Sequence, residues 1–357
     1  MKRVGITGAG LVTPLGNSPA NVLAAVREGK SALALHPGFP EPYFASLLPR
    51  EGRTEPFFEQ VSLEAARRAV ESAGINPADP STGFVLSTIK GDIGHWGQND
   101  ISLAFSAGNI ARALGVQTPP VVVSNACISG LAALVQGMRM IRAGQYRRVI
   151  VVGTELQSPF IVTGFQSLKA LSTDPCKPFD AHRAGLNLGE ASAALVLQAD
   201  EGDWELVEGA IRNDANHISG PSRTGEGSYN ALRAVLPHCE TKDLAFVNVH
   251  GTATVYNDEM EAIALSRAGL LDVPVNALKG SFGHTMGAAG ILESILSMRA
   301  LEAGVVLATR GFSELGVSAA VKVSAKEQPA VGNSFIKLLS GFGGVNGALL
   351  FRKGGSL

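Results

Sequence analysis

Four segments run from short apolar stretches into turns or helices, which is where side chains can do chemistry. Cys127 lies in VVVSNACISGLAALVQGMRMI, between a β-branched strand and a helix of small residues. Unpaired amides and the helix dipole favour a thiolate at such a start. The same amides can hold a developing oxyanion. A lone cysteine is more commonly a small buried hydrophobe, so the setting, not the residue, makes it a candidate nucleophile. Cys176 and Cys239 lack that setting. His250, in AFVNVHGTATVYNDEMEAIAL, ends an apolar strand and enters a Gly-Thr turn carrying Thr252 and Thr254. A histidine there suits acid–base or hydrogen-bonding work, and equally a structural turn. Asn257 or Asp258 is the expected cap of the following helix.

VPVNALKGSFGHTMGAAGILESIL holds Lys279 and His284 ahead of a helix opening with Gly287, Ala288, Ala289 and Gly290. The helix after Cys127 also has a small-residue face, of Ser129, Gly130, Ala132 and Ala133. The two are expected to cross closely and bring Cys127 near His284. Lys279 is either a solvated loop lysine or partly buried. If buried it requires a carboxylate, and Glu190, in AGLNLGEASAALVL, is the candidate. Near the end, LLSGFGGVNGALLF places Phe342 among Gly341, Gly343 and Gly344, with Asn346 fixing the turn. Clustered glycines imply unusual backbone angles or close backbone approach. Phe342 is then a core aromatic or the wall of an apolar pocket.

The surrounding pattern alternates short apolar strands with longer helical periods, which favours an α/β fold. Strands are expected near residues 4–7, 84–87, 121–124, 148–152, 193–197, 205–211, 245–249, 334–339 and 348–351. Helices are expected over 20–27, 61–73, 127–141, 258–266 and 287–300. The Pro-Gly-rich stretches 36–56 and 158–178 are predicted loops. No linker separates residues 1–200 from 201–357, so two halves sharing a core are expected. No internal sequence repeat stands out.

Apolar residues make up 45 % of the 357-residue chain and charged residues 17 %, with a formal net charge of -1. This balance and the absence of like-charge blocks argue against nucleic-acid binding. Three cysteines without metal-type spacing argue against a disulfide scaffold or zinc site and for a reducing compartment. MKRVGITGAGLVTPLG lacks the long apolar core of a signal peptide, and no segment has the run of apolar residues that a membrane span needs. A soluble cytoplasmic protein is expected.

Taken together and in this order, these segments resemble the elongating β-ketoacyl-acyl-carrier-protein synthases of the thiolase superfamily. KRVGITGAGLVTPLGN is similar to the family's first strand. KPFDAHRAGLNLGEASAALVL is similar to its segment carrying Asp180, Arg183, Gly185, Gly189 and Glu190. The resemblance implies a thiolase-like five-layered αβαβα fold of two similar halves, usually dimeric. It implies Cys127 as nucleophile, His250 and His284 as the catalytic pair, and Lys279 with Glu190 as a supporting ion pair. It further implies Phe342 as acyl gate, its N–H completing an oxyanion hole with that of Cys127. The reaction implied is condensation of an acyl thioester with malonyl-acyl carrier protein, in fatty-acid or polyketide/polyene biosynthesis. No metal or bound organic cofactor is called for, because the carrier brings the phosphopantetheine arm.

Several departures stand out. Ala253 replaces a glycine in HGTAT, Ser340 replaces a second aromatic, and the first half is shortened around residues 30–120. A thiolase is disfavoured because no cysteine follows Cys239, and a starter-unit synthase because His284 is not Asn. The rival reading is a silent, chain-length-determining subunit of a ketosynthase heterodimer, which typically lacks the cysteine.

Overall fold

The computed structural model describes residues 2–38, 41–52, 56–97 and 100–354. Numbering only the strands of its main sheet, β1 is Val4–Val12, β2 Thr82–Ser87, β3 Val121–Val123, β4 Arg148–Glu155, β5 Ala191–Ala199 and β6 Trp204–Asn213. The rest are β7 Leu244–Asn248, β8 Pro274–Asn276, β9 Lys322–Val323, β10 Ser334–Gly341 and β11 Val345–Lys353. Their spatial order is β9-β8-β7-β10-β11-β6-β1-β5-β4-β2-β3. The helices are α1 Pro19–Arg27, α2 Phe57–Ala73, α3 Leu103–Leu114, α4 Ser129–Arg142, α5 Pro159–Ser167, α6 Glu226–Val235, α7 Val255–Arg267, α8 Lys279–Phe282 and α9 Ala289–Glu302.

A repeat invisible in the residues is plain in the topology. The first half orders its strands β1-β5-β4-β2-β3, and the second orders its own β6-β11-β10-β7-β8, with β9 as an extra edge. In each set the first three strands pair antiparallel and the last three parallel. The halves join where Gly5 and Ile6 pair with Glu205 and Trp204.

Alternation along the strands explains the layering. Val149 and Val151 of β4 face a central core with α4 and α9, whereas Ile150 and Val152 face α2 and α3. In the second half Phe335 and Leu339 face the same central core, and Ile336 and Leu338 face α6 and α7. Both half-sheets are thus covered on both faces, which is why their strands read as nearly continuous apolar runs. The result is the expected five-layered αβαβα arrangement of the thiolase-like fold.

Several local expectations need correction. The first strand does not end near residue 7: β1 runs on through the Gly-rich stretch to Val12. A Cβ on Gly8 would lie 2.2 Å from the Ala69 carbonyl oxygen, and one on Gly10 2.1 Å from that of Ala65, so these glycines let α2 lie directly on the strand. The segment 158–178 is not all loop, because Ser158 caps α5 and Pro159 opens it. Residues 36–56, of which 39, 40 and 53–55 lie outside the described residues, include the strand Tyr43–Ser46 of a small three-stranded sheet. Thr254, rather than Asn257 or Asp258, caps α7.

Candidate active site

The central crossing forms as expected. A Cβ on Gly130 would lie 2.8 Å from the Gly287 carbonyl oxygen, and one on Gly290 2.3 Å from the Leu131 nitrogen. Any side chain at either position would force the helices apart. This contact sets the tip of α4 against the segment that precedes α9.

Cys127 sits two residues before α4, not within it, and follows Ala126, whose φ is 45°. A non-glycine residue in the left-handed region is uncommon and tends to mark a functional turn. The hydroxyl of Ser129 accepts from the Asn125 N–H at 2.7 Å and donates to the Ala126 carbonyl at 2.6 Å, holding the turn. His250 follows β7, where Glu261 of α7 accepts from its N–H (2.7 Å) and from that of Gly251 (2.8 Å). Ala253 also has a positive φ, 61°, so alanine occupies a conformation that glycine adopts more readily. The Thr252 and Thr254 hydroxyls hydrogen-bond each other at 2.9 Å beside the cavity.

His284 is positioned by the LNLGE segment. Its N–H donates to the Asn187 carbonyl (2.7 Å), and its carbonyl accepts from the Gly189 N–H (3.0 Å). Its Nδ1 accepts from the Met286 N–H at 3.3 Å, so the neutral ring carries its proton on Nε2. That Nε2 and Nδ1 of His250 are buried, and neither has a protein partner among the described residues. The two rings lie 4.9 Å apart, nearly perpendicular. Donor atoms of Cys127, His250 and His284 all fall within 4.8 Å of one another. Such a sulfur–nitrogen set is of a type zinc accepts, but two buried lysines close by oppose another cation.

The backbone amides of Phe342 and of Cys127 itself lie beside the sulfur and favour its ionised form. Gly341 brings the first close: a Cβ there would stand 3.0 Å from the Cys127 nitrogen. Burial nevertheless pushes the thiol up to about 11, against the opposing pull of Lys279 and the Phe342 amide. The resting group is therefore a neutral thiol, not the thiolate expected from the helix start; desolvation outweighs the helix dipole. Burial, followed by the cation of Lys279, also holds both imidazoles well below their ordinary pKa.

The expected Lys279–Glu190 pair does not form. Lys279 Nζ lies 2.9 Å from Glu293 Oε1. The other oxygen, Oε2, takes Lys337 at 2.6 Å. Glu190 instead accepts from Arg50 (2.7 Å) and from the amides of Leu48 and Gln157 (2.8 Å each), binding loops of the first half. Glu293 and Lys337 were not anticipated. Their only signal is a single charge inside an apolar run, ILESILSM and FIKLL. Two further buried carboxylates, Glu155 and Glu261, are raised by burial to about 7. Glu155 accepts from the amides of Ile89 (2.8 Å) and Gly287 (3.0 Å), tying α9's approach to the first half.

Cys127, His250 and His284 open on a cavity of about 390 Å³ that Phe165, Leu186, Phe342 and Ser340 also line. Phe342 is partly exposed, so it is a wall of this cavity and not a core residue. Gly343 and Gly344 follow it with φ of 84° and 75°. Asn346 secures the turn: its Oδ1 accepts from the hydroxyls of Ser228 and Ser340 (2.8 Å each), and its Nδ2 donates to the Gly344 carbonyl at 2.9 Å.

Two family models match the chain, the N-terminal domain of β-ketoacyl synthase over residues 35–202 and the C-terminal domain over residues 205–313. The chain belongs to the β-ketoacyl synthase family. This β-ketoacyl synthase is 30 % identical to the putative mitochondrial 3-oxoacyl-[acyl-carrier-protein] synthase of Schizosaccharomyces pombe, over 429 residues covering 99 % of each. An alignment that long against 357 residues requires gaps in this chain, in line with its expected shortening. It is also 30 % identical to the ketoacyl synthase alpha subunit of the tetracenomycin polyketide synthase of Streptomyces glaucescens, covering 99 % of this chain and 97 % of that one. A β-ketoacyl synthase structure from Burkholderia phymatum STM815 superposes with a TM-score of 0.88 at 25 % identity, covering 99 % and 100 % of the two chains.

Proposed function

We propose that this β-ketoacyl synthase joins an acyl thioester to malonyl-acyl carrier protein by decarboxylative Claisen condensation, in fatty-acid or polyketide/polyene biosynthesis. The observation that carries this reading is one sulfur and two neutral imidazoles within 4.8 Å, opening on one cavity beside the Cys127 and Phe342 amides. Residues 1–200 supply the nucleophile and residues 201–357 the histidines and the GFGG turn.

Cys127 Sγ attacks the acyl carbonyl. The thiol proton passes to the imidazole of His250, because His284 already carries its proton on Nε2. The Cys127 and Phe342 amides hold the tetrahedral oxyanion, a device worth a few kcal/mol. The carrier thiol leaves with the proton, and an acyl-enzyme remains. A malonyl thioester then loses carbon dioxide. Its electron pair forms an enolate whose oxygen receives hydrogen bonds from His284 Nε2 and from His250. The carbanion attacks the acyl carbonyl and expels the Cys127 sulfur, giving a β-ketoacyl thioester two carbons longer.

The acyl carrier protein is the partner this chemistry needs, and it supplies phosphopantetheine, so no bound cofactor is required. A homodimer, or a heterodimer with another ketosynthase-like chain, is supported by the open edge of β3, three half-exposed valines whose outer backbone groups would otherwise stay unpaired. A cytoplasmic location fits a chain in which no described helix is long and apolar enough to cross a membrane. The silent-subunit reading is not favoured, because cysteine, histidines and lysine are assembled in one place.

Intact-protein mass after incubation with a panel of acyl-carrier thioesters tests the proposal. The acyl mass is expected on the wild type and not on Cys127→Ala. Equal loading of the variant, with its fold intact, would place the nucleophile elsewhere.

A further inference from the structure

The family resemblance implies one supporting lysine near the histidines, but two are buried there. Lys337, on β10, and Lys279, on α8, each take one oxygen of Glu293 on α9. All three side chains are almost wholly inaccessible. One carboxylate facing two ammonium groups leaves an excess positive charge when all three are ionised. Lys337 does more than neutralise. Its Nζ also donates to the carbonyl of Val249, at 3.1 Å, the residue immediately before His250. It therefore links the central helix to the strand end from which His250 projects.

Resting on the function proposed above, we propose that Lys337 is a second positioning residue of this site, fixing the backbone that presents His250 and supplying a second buried cation that favours the malonyl enolate. The charged and titratable groups around the histidines are Lys279 (α8), Glu293 (α9), Glu261 and Asp258 (α7), Glu155 (β4) and Cys127. Glu261 and Asp258 are spent on backbone amides. Lys337 thus adds a second cation against these carboxylates, and it opposes protonation of both imidazoles. Removing it should lower the enolate-forming step and let the histidines protonate at higher pH. Lys279 would keep Glu293 paired, so the variant is not left with a lone buried charge.

The experiment compares wild type, Lys337→Met and Lys337→Arg, each checked by melting curve. Two rates are followed from pH 5 to 9: carbon dioxide release from a malonyl thioester, and acylation of Cys127 by an acyl thioester. Lys337→Met should lose roughly tenfold or more in carbon dioxide release near pH 7, below the value of about 8 to which burial lowers the Lys337 ammonium, a factor equivalent to about one pKa unit of interaction. Acylation should fall less than carbon dioxide release does, and the acid limb should move to higher pH. Lys337→Arg should hold the limb at its wild-type position. Unchanged carbon dioxide release in Lys337→Met would overturn the proposal. So would proportional loss of both rates with the limb fixed. If Lys337→Met does not fold, a folded Lys337→Arg with its acid limb displaced would overturn it equally. A wild type that releases no carbon dioxide at all would instead count against the proposed function.

Discussion

The ring of Phe342 lies 5.7 Å from that of Phe165, tilted by 30°, on the wall of the cavity above Cys127. Phe165 belongs to α5, in a stretch whose composition suggests loop. The pair therefore joins the GFGG turn of the second half to a helix of the first. Gly343 has a positive φ with open space beside its Cα, but its N–H donates to the Ile218 carbonyl at 2.7 Å and its carbonyl accepts from Asn213 Nδ2 at 2.9 Å, so the backbone of the turn is anchored beside the Phe342 ring.

Phe342→Ala should accordingly alter chain-length preference or loading rate more than stability. A fully buried phenylalanine costs about 3–5 kcal/mol on truncation. This half-exposed one should cost about 1–2 kcal/mol on area grounds. Melting temperatures and acyl-loading rates for short and long chains measure both effects. A large melting loss with unchanged relative rates would make Phe342 an ordinary packing residue.

His284→Ala should keep acyl loading measurable while abolishing carbon dioxide release from a malonyl thioester. The Nε2 proton of His284 is placed to donate, and His250 remains to take the thiol proton. A drop of about a hundredfold or more is the scale expected for losing one oxyanion donor. Wild-type carbon dioxide release in the variant would refute that role.

The neutral state of the Cys127 thiol has a direct readout. With the thiol raised to about 11, its alkylation by iodoacetamide should keep climbing from pH 7 to 10. An ordinary thiol would level off above ~8.5. The folded protein keeps a proton that the unfolded chain releases, so this group's contribution to stability falls as pH rises through that window. A rate plateau near neutral pH would mean that the helix start does win over burial.

Gly290→Ala should destabilise by about 3 kcal/mol, because a methyl 2.3 Å from the Leu131 nitrogen meets backbone, which cannot rotate away. Condensation should fall further than the melting temperature suggests, since the same contact sets Cys127 against His284. A variant with wild-type melting and condensation would show that the helices tolerate separation.

What was legible in the sequence was local. Cys127, His250 and His284 each follow an apolar strand into a small-residue turn, and the small faces of α4 and α9 foretold their crossing. Those features depend on neighbours within a few residues, so the chain displays them directly. The ion pair was misassigned for the opposite reason. Glu190 was visible beside an apolar strand, but its carboxylate turns to Arg50 and the amides of Leu48 and Gln157. Glu293 and Lys337 are single charges inside an apolar helix and strand, and they become acceptable only because α8, α9 and β10 converge. Likewise, the thiol's ionisation depends on how completely the two halves exclude water around it. Residue types and spacing singled out Cys127, His250 and His284 as candidates and gave an α/β chain, and the family resemblance implied the layered architecture. Only the tertiary structure decided which buried charge meets which, because that is settled by three-dimensional neighbours far apart along the chain.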